Sequence, residues 1–467
     1  MRRFVIISDL HLGGSEHPML GHPEVLTEFL GQLAAHAADP GRGEIELVVA
    51  GDFIDFLAEA PSAAWTASEG DARAKLEAMF KRSADLFDAF ARCAQGLAGF
   101  TVLLGNHDVE LAYPRVRDAL FRRLGTGPHR CHFIQDNEAY RAGDLLVEHG
   151  NRYDAWNAVD YDGLRQIVSC ASRGEHPPRP LDICPGSQLV YGAMNPLKEH
   201  YHFIDLLKPE GKVLALLMLQ LEPTVVKKRL PELFRLASAW VGERYRKASW
   251  LAGGDGISPT TERLVAAEAE DDLPPDIRKA FYRELNDAEG EELSVSAGDT
   301  LDLLKRIVFG RETDGLKAMF ARGEAIPPAR LRKLQVALGG VLEGDKTFEE
   351  GLPDGNCHAA ARKMVDAGVA KVVVMGHTHL ARDIELPGGG RYLNTGTWAD
   401  LIRIDKALLA DTDDAHGALT EWLRKIAENR LDGIREHMPR YADVEVDDDG
   451  HVRSARLRKH GAGERFA

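Results

Sequence analysis

Five short apolar runs in this chain stop on a cluster of Asp, His or Asn beside glycine. FVII leads into SDLHLGG (8–14), IELVVA into GDFID (51–55) and FTVLL into GNHD (105–108); LLV leads into EHGN (148–151) and KVVVM into GHTH (376–379). Short apolar runs rich in β-branched residues, ended by turn residues, predict buried strands. Helical patterns separate the first three: one near 24–38, and a long one opened by Ser68 with Leu76, Met79, Phe80, Phe87, Phe90 and Ala94 at helical spacing. Strands alternating with helices predict an α/β fold, with helices on the faces of the sheet. In open α/β sheets, ligands gather outside the carboxyl ends of the strands. Asp9, His11, Asp52, Asn106, His149, His377 and His379 therefore converge on one crevice. The pairs Asp9/His11 and His377/His379 stand two residues apart just past a strand and can point the same way.

Further strands are expected at 391–398 and 401–404. EAYRAG (138–143) is expected to pair back on 145–151, and 443–457 to close the chain as a hairpin turning at Asp449-Gly450. Residues 155–353 instead carry few β-branched runs, many helical patterns and the Pro-rich joints HPPRP (176–180) and IPP (326–328). The expected organisation is a core of 1–154 and 354–467, interrupted by a mainly helical insertion, or cap, over 155–353.

Composition narrows the function. The chain has 467 residues and a formal charge of −15, which argues against coating nucleic acid. Its five cysteines form no CxxC, so neither a disulfide framework nor a thiolate zinc site is expected. The apolar run behind Met1-Arg2-Arg3 is too short for an export signal, and no stretch approaches a membrane span. A cytoplasmic protein is the expectation. The clustered donors are nitrogen and oxygen only, which suits Mn, Fe, Zn or Ni. HRCH (His129, His132) and EHYH (His200, His202) have similar spacing but no converging partner, and read as surface or core histidines.

In order and spacing the five blocks resemble the calcineurin-like metallophosphoesterase superfamily, over residues 1–151 and 371–404. The resemblance implies a four-layer α-β-β-α sandwich holding two divalent cations, with manganese favoured. Asp9, His11 and His379 would bind one ion, Asn106, His149 and His377 the other, and Asp52 would bridge them. His107 would face the phosphate, as leaving-group acid or transition-state stabiliser, and Asp108 would orient it by a hydrogen bond. Asp55 stands where purple acid phosphatases carry a tyrosine, and is expected to support the ligands from behind. The implied reaction is phosphodiester or pyrophosphate hydrolysis. A hydroxide bridging the two ions, its water acidified from a pKa of 15.7 towards ~7, would attack in line, with no serine or cysteine nucleophile.

Within the superfamily, SDLHLGG, GDFIDF, GNHD, GHTHLA and LNTGTWADLIRI look most like UDP-2,3-diacylglucosamine pyrophosphatases. Two departures stand out: His149-Gly150 is followed by Asn151 in place of Asp, and the insertion is far larger than that family's acyl-holding cap. A nucleotide- or lipid-linked phosphoester is the expected substrate. DNA-repair nucleases of the SbcD type share the blocks and are the alternative, with a non-catalytic scaffold behind them. Inside the insertion, VLALLMLQL (213–221) reads as packing or a lipid tunnel. Residues 227–247 hold seven basic and two acidic residues; Lys227, Lys228, Arg229, Arg244, Arg246 and Lys247 are candidate contacts for phosphate or an anionic membrane surface.

Overall fold

The structure is a computed structural model. It describes residues 1–14, 17–39, 41, 43–125, 130–136, 138–209, 211–222, 314–343, 345–461, 463 and 466. The basic candidates between 227 and 247, and His129, lie outside the described residues. Contacts divide the chain into two compact units, Met1–Asn195 with Lys346–Leu401 and Arg435–Ala467, and Pro196–Asp345 with Ile402–Ile434.

In the first unit, strands β1 (Arg2–Ile7), β2 (Glu44–Ala50), β3 (Gly99–Leu103) and β4 (Cys131–Ile134) run parallel. β5 (Tyr140–Ala142) and β6 (Leu145–Val147) form the expected short hairpin. β7 (Leu207–Lys208) lies in the second unit, and β8 (Val372–Met375), β9 (Ala381–Leu386) and β10 (Gly390–Thr395) return to the first. β11 (Ile402–Arg403) again belongs to the second unit, and β12 (Arg440–Val446) with β13 (Val452–Lys459) makes the closing hairpin, where Gly450 has φ 87°. The strand orders are β13-β12-β1-β2-β3-β4 in one sheet and β5-β6-β8-β10-β9 in the other.

Alternation along the strands builds four layers. Phe4, Ile6, Val48, Ala50 and Leu103 of the larger sheet pack on Val147, Val372, Val374 and Leu393 of the smaller. The residues between them, Val5, Ile7, Leu47, Val49 and Val102, face the other way, onto helices α1 (Pro23–Ala37), α2 (Glu69–Arg82), α3 (Ala84–Gly96) and α4 (Pro114–Arg123). On the smaller sheet Leu146, Val373, Met375 and Tyr392 cover the helix Asn356–Asp366 through Cys357 and Ala361. This is the four-layer α-β-β-α sandwich expected from the sequence.

Two local expectations change. The long helix after Ser68 is two helices: Ser83 has φ −112° and ψ 39°, and its N–H donates to Met79 O before α3 starts. Ser68 itself caps α2, its side chain accepting from Asp71 N–H. LIRI (401–404) does not join the core sheets. β9 already occupies the free edge of β10, running antiparallel to it, and Ile402–Arg403 pairs parallel with Leu207–Lys208 instead.

The described part of the second unit is mainly helical, with helices Gly211–Leu221, Leu316–Ala321, Pro328–Val341 and Asp413–Ala427. Val213, Leu217 and Leu221 are fully buried, and Gln220 accepts from Arg330 at 2.9 Å. The run 213–221 is thus a buried packing helix. No helix among the described residues is long and apolar enough to cross a membrane.

Glu110 is fully buried; one oxygen accepts from Thr66 N–H at 2.8 Å and the other has no hydrogen-bond partner. Burial pushes its pKa from 4.5 up to about 7. The unfolded chain therefore ionises at Glu110 first, and this residue's contribution to stability falls as pH rises from 4.5 to about 7. A shift of that size is worth on the order of 3 kcal/mol. Glu110→Gln should therefore gain stability over wild type at pH 8 relative to pH 4.5 in denaturant titrations, and an unchanged difference would count against the burial effect.

Candidate metal centre

Each predicted cluster follows the carboxyl end of a strand: Asp9 and His11 after β1, Asp52 after β2, Asn106 and His107 after β3, His149 after β6, and His377 and His379 after β8. The parallel pairings β1–β2–β3 and β6–β8 aim these ends along one edge of each sheet. The loops then lock together. Leu10 and His11 N–H groups donate to Asp52 O at 3.0 Å, and His377 N–H donates to the Asp9 carboxylate at 2.9 Å.

The backbone here is unusual. Asp9, His11, Asp52, His377 and His379 have φ between 46° and 71°, and Asn429 is the one other non-glycine residue with positive φ among the described residues. Left-handed backbone costs non-glycine residues energy and persists where surrounding contacts impose it, most often at functional sites. The glycines supply room rather than turns at two places. A Cβ on Gly105 would lie 2.1 Å from Asp52 Oδ1, and one on Gly376 would lie 2.4 Å from Asp9 Oδ2.

The side chains meet closely. His11 Nε2 lies 2.9 Å from His379 Nε2, which lies 3.4 Å from Asp9 Oδ1. Asp52 Oδ2 faces His149 Nε2 at 3.2 Å and His11 Nε2 at 3.8 Å, so one oxygen looks to both halves of the cluster. His149 Nδ1 sits 2.8 Å from the Ala50 carbonyl, which can only accept. That contact leaves the Nε2 lone pair directed at the cluster. The buried Asn106 Oδ1 and His149 Nε2 have no hydrogen-bond partner, although His149 Nε2 stands at ion-pair distance from Asp52. Three groups have their ligand atoms within 4.8 Å of one another: Asp9/His11/His379, Asp9/Asp52/His149 and His11/Asp52/His107.

These donors fit divalent cations. Buried polar atoms without partners, and ring nitrogens facing each other, are stable where a cation lies between them. Without one, the charges lean on each other. Burial opposes ionisation of Asp9, but His379 and His149 hold its pKa at about 2. Burial likewise opposes the charged imidazole of His149, but Asp52 raises its pKa to about 9. His107 follows the same pattern: burial works against the charged ring, and Asp55 and Asp52 raise it to about 10.

The hydrogen bond expected from Asp108 to His107 is not made. The Asp108 carboxylate accepts from Gly105 N–H at 2.7 Å and Phe53 N–H at 2.8 Å, and is fully buried in the turn. Burial and then the nearby Asp52 push its pKa up to about 7. Asp108 thus holds the GNHD turn together. The carboxylate beside His107 belongs to Asp55: Oδ1 lies 3.2 Å from His107 Nδ1, and Oδ2 lies 3.2 Å from His11 Nδ1. One carboxylate supports both a candidate ligand and the candidate acid.

His377 joins none of the three groups, and its ring Nε2 meets Asp154 at 3.1 Å. Asp154 was missed by reading blocks, since it lies three residues beyond EHGN; its spacing to His149 carries no local signal. Ser8 was missed as well. Its hydroxyl bonds the Asp9 carboxylate and lies 2.6 Å from Thr395 Oγ1, anchoring Asp9 to β10. His132 and His200 are exposed and His202 is half-buried, and none of the three belongs to a metal-holding group among the described residues.

The two-sheet sandwich with candidate metal ligands at its strand ends supports a metal-dependent phosphoesterase class of protein. Residues 2–186 match the family described as Calcineurin-like phosphoesterase, which supports placing the chain in the metallophosphoesterase superfamily. No curated protein and no solved structure matches it.

Proposed function

We propose that the protein hydrolyses a phosphodiester or pyrophosphate, nucleotide- or lipid-linked, using two divalent ions, of which manganese is the favoured metal. The observation that carries the reading is the pair of groups Asp9/His11/His379 and Asp9/Asp52/His149, which share Asp9 and each bring their ligand atoms within 4.8 Å of one another. Asp9, His11 and His379 would hold one ion, Asn106, His149 and His377 the other, and Asp52 would touch both. Bound there, the ions supply positive charge for the phosphoryl oxygens and acidify a water for attack. The chain's own residues do the rest. Asp55 keeps His11 and His107 oriented, Asp108 holds the turn that carries Asn106 and His107, and His107 presents a proton towards the leaving oxygen.

A chelator-stripped sample tests this on bis-p-nitrophenyl phosphate. Hydrolysis should be near background without metal and return with Mn²⁺ as about two ions bind per chain. Full activity in the stripped protein would sink the proposal. The same sample, offered UDP-diacylglucosamine, cyclic and dinucleotides, and single-stranded DNA, distinguishes the substrate classes.

A further inference from the structure

Among the described residues, one carboxylate outside the predicted blocks reaches a predicted ligand. Asp154 Oδ2 lies 3.1 Å from His377 Nε2. A carboxylate only accepts, so the ring nitrogen facing it carries the proton and the lone pair falls to Nδ1.

Asp154 is itself held before it meets the ring. Its Oδ1 accepts from Trp156 N–H at 2.9 Å, its Oδ2 accepts from Asn157 Nδ2 at 2.7 Å, and its own N–H donates to Asn151 O at 3.1 Å. This loop leads directly out of the EHGN block, so the same turn that carries His149 also carries the carboxylate. The His377 backbone is fixed separately, by its N–H on Asp9 at 2.9 Å and its left-handed φ of 71°. With the backbone pinned, the free variables left to His377 are ring rotation and tautomer. Among the described residues, Asp154 is the side chain that hydrogen-bonds this ring, and that contact acts on both.

We propose that Asp154 is a positioning residue for the metal centre: it receives the Nε2–H of His377 and so turns Nδ1 towards the second ion. Carboxylates behind metal-binding histidines act in this way by fixing tautomer and raising ligand basicity. The inference rests on the two-ion reading above, and on His377 as one of its ligands.

The test measures Mn²⁺ stoichiometry and affinity by calorimetry and by the electron paramagnetic resonance of the bound ions, with circular dichroism as a check on folding. Wild type should bind two ions. Asp154→Ala should weaken one of them by about 10- to 100-fold and leave the other unchanged. Asp154→Asn keeps an acceptor oxygen and should fall between the two. Asn157→Ala removes a loop bond but not the ring contact, and should stay near wild type. A folded Asp154→Ala that takes both ions at wild-type affinity overturns the proposal. So does an Asn157→Ala that loses as much as Asp154→Ala, since the loop's fold and not the ring contact would then be responsible. If Asp154→Ala does not fold, Asp154→Asn decides, and wild-type affinity in it overturns the proposal. A wild type that never binds a second ion would sink the two-ion reading itself, which separates that failure from this one.

Discussion

Asp52→Asn is expected to lose the paired metal centre and with it essentially all hydrolysis. Asp52 is 1% exposed, and its Oδ2 stands 3.2 Å from His149 and 3.8 Å from His11, one from each proposed ion's set. Its Oδ1 meanwhile accepts from His107 N–H at 2.9 Å. An amide keeps that shape but brings no charge and offers a single acceptor, so an oxygen serving two cations and a backbone donor cannot be replaced by it. The electrostatic contribution at stake is several kcal/mol, which corresponds to roughly 10³-fold or more in turnover. Metal content read by mass spectrometry, alongside turnover of bis-p-nitrophenyl phosphate, checks it. Wild-type rates with two ions bound would remove Asp52 from the bridging position.

What could be read from the sequence follows from what is local. The apolar runs and their stops are short-range patterns, so β1, β2, β3, β6 and β8, and the candidates that follow them, were all legible. So was the approach of Asp9, His11, Asp52, His149 and His379, because parallel strands put their carboxyl ends on one side, whereas His377 joins none of these groups. Partners across loops were not. Asp108 follows His107 directly and invites pairing with it, yet Gly105 and Phe53 N–H groups claim its oxygens, and the carboxylate beside His107 comes from another loop, through Asp55. The break at Ser83 was hidden because the buried positions of α2 and α3, from Leu76 and Met79 to Leu86 and Phe90, continue at helical spacing across it.

The left-handed residues teach a related lesson. Positive φ is normally announced by glycine. Here Asp9, His11, Asp52, His377 and His379 adopt it themselves, while Gly105 and Gly376 beside them give up their Cβ to make space for the Asp52 and Asp9 carboxylates. The glycines of GNHD and GHTH are therefore packing requirements of the carboxylates, and the strain sits on the candidate ligands. Such strain is tolerated because cross-loop bonds, such as His11 N–H on Asp52 O and His377 N–H on Asp9, over-determine the backbone.

His107→Ala is expected to leave both ions in place and cut turnover by roughly 10²- to 10⁴-fold, the range typical of losing a general acid. Its side chain is 18% exposed, against 1% for His11 and His149, so it stands where a substrate can reach it. Its ring meets His11 edge-on at 4.7 Å between centroids, and Asp55 sits behind its Nδ1. Those contacts suit a ring that offers its far side to a phosphate. The same position also brings His107 into a group with His11 and Asp52 tight enough to bind a cation. Metal content therefore decides between the two roles. A variant that keeps two ions and loses turnover leaves His107 as the acid, whereas one that loses an ion makes it a ligand. Asp55→Asn sharpens the comparison, because that change removes the carboxylate behind His107 and His11 together: with both ions held bound by saturating Mn²⁺, turnover should fall in Asp55→Asn but change little further when it is added to His107→Ala, while the share that runs through His11 should show separately as weaker metal binding in both backgrounds.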